Sequence, residues 1–181
     1  HRAMNDKFYE DYKKGQLDPY AYNEFVFQFL TQHDHDYLTE LHQLFMQKVI
    51  RPQMRPEGFK AIQRHKDAGH EIVGITATSD FITAPIFREF GITEIIATNA
   101  EVIDGKYTGK VTNIACYQQG KLTRLEQWLA GREVTESWAY SDSINDRFLL
   151  EHADHAIAVN PDDRLEALAK EQGWEIQNWS I

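Results

Sequence analysis

Up to residue 50 the apolar positions recur only at helical spacing. Asp18 followed by Pro19 is a helix start, with the aspartate as N-cap and the proline at the first helical position. Tyr22, Phe25 and Phe29 then form an aromatic stripe. A second start at Asp36 leads into Leu38, Leu41, Phe45 and Val49, again one helical face. Both stripes predict faces packed into a helical core. Pro52 and Pro56 bracket a short connection, and the pattern then changes. Phe59 and Ile62 lie on a helix expected to stop at Gly69; residues 71–76 (EIVGIT) form a short apolar run that fits a buried strand. A helix over 82–90, a strand over 95–98, a helix over 122–130, strands over 138–140 and 156–159, and a helix from Asp162 to near Gly173 follow. Between them, 99–111 contains Asp104-Gly105, a hairpin turn between two β-like runs. Trp174 and Trp179 are expected to pack on the sheet. Helices alternating with apolar strands predict an α/β fold with a largely parallel sheet covered on both faces. The division falls near 51–55, giving an all-helical module over 1–55 and an α/β core over 56–181.

Composition narrows the function classes. Nineteen Lys and Arg against 28 Asp and Glu leave a formal net charge of −9, so nucleic acid and anionic membrane are poor partners. No apolar run reaches the ~20 residues of a membrane span, and no signal peptide is visible. One cysteine, Cys116, excludes a disulfide framework and any multi-cysteine zinc site, so the expected compartment is a reducing cytoplasm. Apolar residues at 42% and aromatics at 12% place the chain among folded proteins rather than disordered ones.

In parallel sheets ligands bind where strands end at their carboxyl edges, which directs attention to three segments. Thr76-Ala77-Thr78-Ser79-Asp80 places three hydroxyls and backbone amides between a strand and a helix. Such a turn suits an oxyanion, and the same residues serve equally as helix caps. Ser141-Asp142-Ser143-Ile144-Asn145-Asp146 sets two aspartates four apart, one at a strand tip and one opening a helix. Their hard oxygens suit Mg²⁺, although either can be a cap. Lys121 stands just before a helix expected from Leu122, where a cation opposes the macrodipole; it is either a solvated lysine or a group serving something else.

Together these segments resemble the haloacid dehalogenase superfamily of phosphohydrolases, in its phosphoserine-phosphatase-like subfamily IB. Thr76 matches the second motif, Lys121 the third and 141–146 the fourth; the hairpin 99–111 is similar to a segment of the same enzymes. The resemblance spans the chain. It implies a Rossmann-like α/β core with 1–55 as a helical cap inserted before the second motif, and Mg²⁺-dependent hydrolysis of a small phosphorylated metabolite through an aspartyl-phosphate. It further implies Thr76, Ala77, Lys121 and Asn145 as phosphate-binding, Thr76, Lys121 and Asp146 as catalytic, and Asp142 with Asp146 at the metal. The protein is expected as a monomer or homodimer. Two departures stand out. Ser141 and Ser143 replace the glycines many members carry beside the first aspartate of the fourth motif. The first motif, Asp-x-Asp on an opening strand, has no counterpart: Asp34-His35-Asp36 is a polar helix start. The nucleophile is therefore expected in a strand outside the chain, an idea supported by the unusual opening His1-Arg2-Ala3-Met4, and the chain alone is expected to be inactive. A start at Met4 would instead leave a non-catalytic phosphate- or metabolite-binding protein. His33 and His35 fit a solvated helix start better than a metal site. Cys116 fits a structural thiol, and the sequon Asn178-Trp179-Ser180 carries no expectation of glycosylation.

Overall fold

A computed structural model describes residues 2–180. Three helices lead: α1 (Arg2–Lys13), α2 (Pro19–Thr31) and α3 (His35–Phe45). A π-helical turn at Met46–Ile50 and a 3-10 turn at Arg51–Gln53 connect them to α4 (Pro56–Asp67). Then come β1 (Val73–Ser79), α5 (Asp80–Glu89), β2 (Glu94–Thr98), β3 (Ala100–Ile103), β4 (Lys106–Val111) and α6 (Gln119–Leu129). The chain continues through β5 (Trp138–Ser141), α7 (Arg147–His152), β6 (His155–Val159), α8 (Asp163–Gln172) and β7 (Glu175–Gln177).

The α/β class expected from the alternation is the one observed, but the parallel sheet is divided. β1 pairs in parallel with β2, and β5, β6 and β7 form a second parallel ladder in that order. Among the described residues, each of β1 and β5 pairs along one edge only. β3 and β4 form an antiparallel hairpin whose turn residues Asp104 and Gly105 have φ of 51° and 75°, the left-handed pair a tight two-residue hairpin demands.

Asp18 caps α2 as its sequence predicts, its Oδ1 accepting from the amides of Tyr20 (2.9 Å) and Ala21 (3.1 Å). The buried face of α2, however, is Asn23, Phe27 and Leu30, and Phe29 is exposed. Tyr22 and Phe25 meet Phe8 of α1 instead. α3 starts at Asp34 rather than Asp36: the Asp34 carboxylate accepts from Tyr37 N (2.8 Å). Leu38 and Met46 are buried, but Leu41 and Val49 are exposed; the π-turn shifts the helical register after Phe45 and so the position of Val49. Phe27, Leu30 and Leu38 pack against Phe81, Ala100, Tyr107 and Val111, so the helical module shares its core with α5 and the hairpin. A second cluster, Leu150, Ala156, Ala158, Leu165 and Ala169, joins α7 and α8 to one face of the β5–β7 ladder, with Trp174 against it.

On the opposite face α4 meets β5 through polar rings. Arg64 donates to the Tyr140 hydroxyl (3.0 Å), and the same hydroxyl is hydrogen-bonded to His65 Nε2 (2.8 Å). His65 Nδ1 is in turn hydrogen-bonded to His70 Nδ1 (2.8 Å), one of the two nitrogens carrying the shared proton. Trp138 is stacked between the rings of His70 and His155, with centroids at 4.5 and 5.0 Å. Burial first, then the nearby His70 and Arg64, hold the His65 pKa below its ordinary value. The unfolded chain therefore binds a proton more readily at this residue, and stability falls as pH drops below about 6.5. Wild-type melting temperature is expected to fall more steeply with acidification in that range than that of His65→Gln, in parallel thermal scans. Superimposable profiles would show that His65 makes no such contribution.

Candidate active site

β1 runs three residues further than its sequence suggests, so Thr76 and Ala77 lie within the strand and α5 begins at once from Asp80. Thr76 Oγ1 accepts from Thr78 N (3.2 Å), and Ser79 caps α5 through Ile82 N (3.4 Å). The end of β1 is tied sideways: Thr98 Oγ1 donates to Ala77 O (3.1 Å) and accepts from Cys116 N (3.0 Å). Cys116 is buried, and burial raises its thiol pKa, which suits an inert structural thiol.

α6 starts at Gln119, earlier than expected, and this places Lys121 inside its first turn rather than before it. Lys121 is only 7% exposed. Its Nζ donates to Asp146 Oδ1 at 2.5 Å, and Asp146 Oδ2 accepts from the Ser141 hydroxyl at 2.7 Å. A buried ammonium against the helix dipole is stable only with such a partner. Gly120 permits this placement: a Cβ there would overlap the carbonyl oxygen of Ala115. Gly120→Ala is expected to cost about 1–3 kcal/mol through overpacking. It should also lower the catalytic rate of the whole protein by displacing Lys121. Urea unfolding together with steady-state kinetics checks both, and an unchanged unfolding midpoint would contradict the steric argument.

The loop after β5 is fastened throughout. Ser143 N donates to Ser141 Oγ (3.2 Å), Ser143 Oγ caps Asn145 N (3.3 Å), and Ile144 N donates to Asp162 Oδ2 (2.9 Å). Gln118 Nε2 lies within hydrogen-bonding reach of Asn145 Oδ1 (3.4 Å), Tyr117 Oη (3.2 Å) and Gly15 O (3.4 Å). Gln118 also has φ of 46° and ψ of −118°, a strained conformation for a residue with a side chain. From α1, Tyr12 reaches Ser143 Oγ (3.5 Å) and lies against Tyr117, with ring centroids 6.1 Å apart.

The structure therefore gathers Lys121, Asn145 and Asp146 into one bonded network around 141–146. Thr76 and Ala77 join it only through Thr98 and the segment leading to α6; among the described residues no hydrogen bond links Thr76 to Lys121 or to the loop. Asp142 is exposed just past the end of β5 and forms no ion pair among the described residues. Desolvation raises its pKa most, and Asp146 and Asp162 push the same way; its own backbone amide and Lys121 oppose them. Gln118, Ser141, Tyr12 and Asp162 lack sequence signals of comparable strength, although Asp162 is recognisable as a helix cap.

No group of three or more His, Cys, Asp or Glu side chains that could hold a metal occurs among the described residues. Mg²⁺ does not need one. It is commonly held by one or two carboxylates, with water and a substrate phosphate completing the octahedron. The nearness of Asp146 and Asp162 to Asp142, offset only by Lys121, fits a cation beside Asp142. Asp146, with an oxygen on Lys121 and an oxygen on Ser141, fits better as the group that orients Lys121.

An α/β fold with a buried lysine, a hydroxyl-bearing strand end and an Asp-x-x-x-Asp loop defines a phosphohydrolase-type scaffold. Residues 1–151 match the haloacid dehalogenase-like hydrolase family, and the chain belongs to it. It is 42% identical over 183 residues to a histidinol-phosphatase of Neisseria meningitidis serogroup C, covering 98% of this chain and 82% of that protein. A phosphoserine phosphatase of Mycobacterium tuberculosis is 41% identical over 122 residues, which is 66% of this chain but 39% of that protein. The crystal structure of a Bordetella pertussis protein of unknown function superposes with a TM-score of 0.89 at 38% identity, covering 97% of this chain and 81% of that one.

Proposed function

We propose that the protein hydrolyses a small phosphomonoester with the help of Mg²⁺, and that its substrate is histidinol phosphate or a close analogue. The observation that carries the reaction class is the buried Lys121–Asp146 pair beside an unpaired Asp142. Lys121 neutralises charge on the phosphoryl group, while Thr76, the Ala77 amide and Asn145 donate to its oxygens. Catalysis of this kind is mainly positioning and charge stabilisation. Asp142 would hold Mg²⁺, with Asp146 steadying its surroundings; the ion supplies charge neutralisation at the phosphate. Among the described residues no strand carries an Asp-x-Asp pair. The free edges of β1 and β5 support a further parallel strand between them, bringing the aspartate nucleophile that takes up the phosphoryl group before water releases it.

The helices of 1–55 act as the cap over this site in our reading, with Tyr12 and Tyr117 forming an aromatic wall beside the loop. That wall suits a leaving group with a ring, and the long match to a histidinol-phosphatase points the same way. The whole protein should release phosphate from histidinol phosphate faster than from phosphoserine, and a chelator should stop it. Equal or reversed preference would remove the substrate assignment, and chelator-insensitive turnover would remove the metal. No described helix is long and apolar enough to cross a membrane.

A further inference from the structure

Asp162 precedes α8 and enters the site above only as one of the acidic groups near Asp142. Its Oδ1 accepts from Leu165 N (2.8 Å), an ordinary N-cap bond. Two further bonds serve no purpose for that helix. Asp162 N donates to the carbonyl oxygen of Asp142 (2.8 Å), and Asp162 Oδ2 accepts from Ile144 N (2.9 Å). Asp162 thus grips the β5 loop at both ends of the Asp142–Ile144 tripeptide. On its other side, the same stretch is held by the Ser141 hydroxyl, which accepts from Ser143 N.

We propose that Asp162 is a positioning residue that fixes the backbone at Asp142, and so sets the direction in which the Asp142 carboxylate meets a divalent cation. The inference rests on the reading of Asp142 as a metal-holding residue. The physical reason is geometric. Asp142 is the first residue after β5 and is exposed, and a carboxylate whose backbone can rotate does not present its oxygens at a fixed place. Two short bonds, one to its own carbonyl and one to the amide of Ile144 two residues on, restrict that freedom, and both come from a residue that is itself anchored by its helix. Partners that orient a ligand in this way typically change metal affinity by 10–100-fold when lost.

The test uses the whole protein and Mg²⁺ alone, titrated calorimetrically, with the Mg²⁺ concentration for half-maximal turnover as a second readout. Asp162→Ser keeps a capping oxygen for α8 but is too short to hold Ile144 N as well. Asp162→Asn keeps the shape and replaces one acceptor by a donor. Asp34→Ser, a cap replacement at the start of α3 whose bond to Tyr37 N is the same length, controls for general loss of a cap. Both Asp162 variants are expected to weaken Mg²⁺ binding by about tenfold or more, with the rate at saturating Mg²⁺ changed by less than about threefold, while Asp34→Ser binds Mg²⁺ like wild type. If Asp162→Ser fails to fold, Asp162→Asn decides. Wild-type Mg²⁺ affinity in a folded Asp162 variant overturns the positioning role and leaves the metal reading intact. Failure of the wild-type protein to bind Mg²⁺ overturns both.

Discussion

Lys121→Met in the whole protein is expected to lower the catalytic rate by roughly 10²–10³-fold, the usual effect of removing one preorganised charge from a site where negative charge develops. The same change should also destabilise the fold. Lys121 and Asp146 have side chains 9% and 13% exposed, and removing one partner of a buried pair leaves the other uncompensated. Losses of this kind run to about 3–5 kcal/mol, against a total stability of about 5–15 kcal/mol. The Ser141 hydroxyl on Asp146 Oδ2 offsets only part of this. The two effects can be separated. Adding Asp146→Leu removes the stranded carboxylate and should restore much of the stability while leaving the enzyme inactive, because replacing a buried ion pair with apolar groups is often neutral. Urea midpoints of the two variants, read beside their rates, decide the matter. A Lys121→Met enzyme working within tenfold of wild type would show that the buried lysine is structural.

The charge pair also shows where the sequence is legible. Lys121 is conspicuous because a cation at a helix start is locally unfavourable, and the structure supplies the compensating partner. The Asp146 contact comes from packing α6 against the β5 loop, which no local pattern encodes. Capping behaves in the same way. Asp18 and Pro19 start α2 as written because both act on their own backbone, whereas the start of α3 lies two residues from the one expected, since both Asp34 and Asp36 fit a cap pattern. The buried faces are less predictable. Phe29 and Leu41 have the spacing of core residues yet face solvent, because the partner surface contacts Phe27, Leu30 and Leu38. β7 is three residues long and pairs with β6, too short for alternation to show. The tie from Asp162 to residues 142–144 is invisible for a related reason: a capping aspartate has a second oxygen, and its destination depends on tertiary packing.

Asp142→Asn should abolish the response to Mg²⁺ while making the protein more stable without metal. At neutral pH the Asp142 carboxylate faces the charges of Asp146 and Asp162 with Lys121 committed to Asp146, and its pKa is raised, mainly by desolvation. A raised carboxylate pKa means that the folded state disfavours the charged form. The penalty is therefore present at neutral pH and fades as pH falls through and below the ordinary carboxylate range. A neutral amide of the same shape removes that penalty. The melting temperature of Asp142→Asn at pH 7 is accordingly expected to exceed that of wild type in metal-free buffer, and the difference should shrink on acidification. Millimolar Mg²⁺ should reverse the order, because a ligand that binds only the folded state stabilises it and the amide is a poorer ligand for a hard cation. Turnover should drop by about a thousandfold, since the charge stabilisation at stake amounts to several kcal/mol at about 1.4 kcal/mol per tenfold. A variant that melts below wild type without metal would mean that Asp142 stabilises the loop. A variant that keeps its Mg²⁺-dependent rise would mean that the cation is held elsewhere.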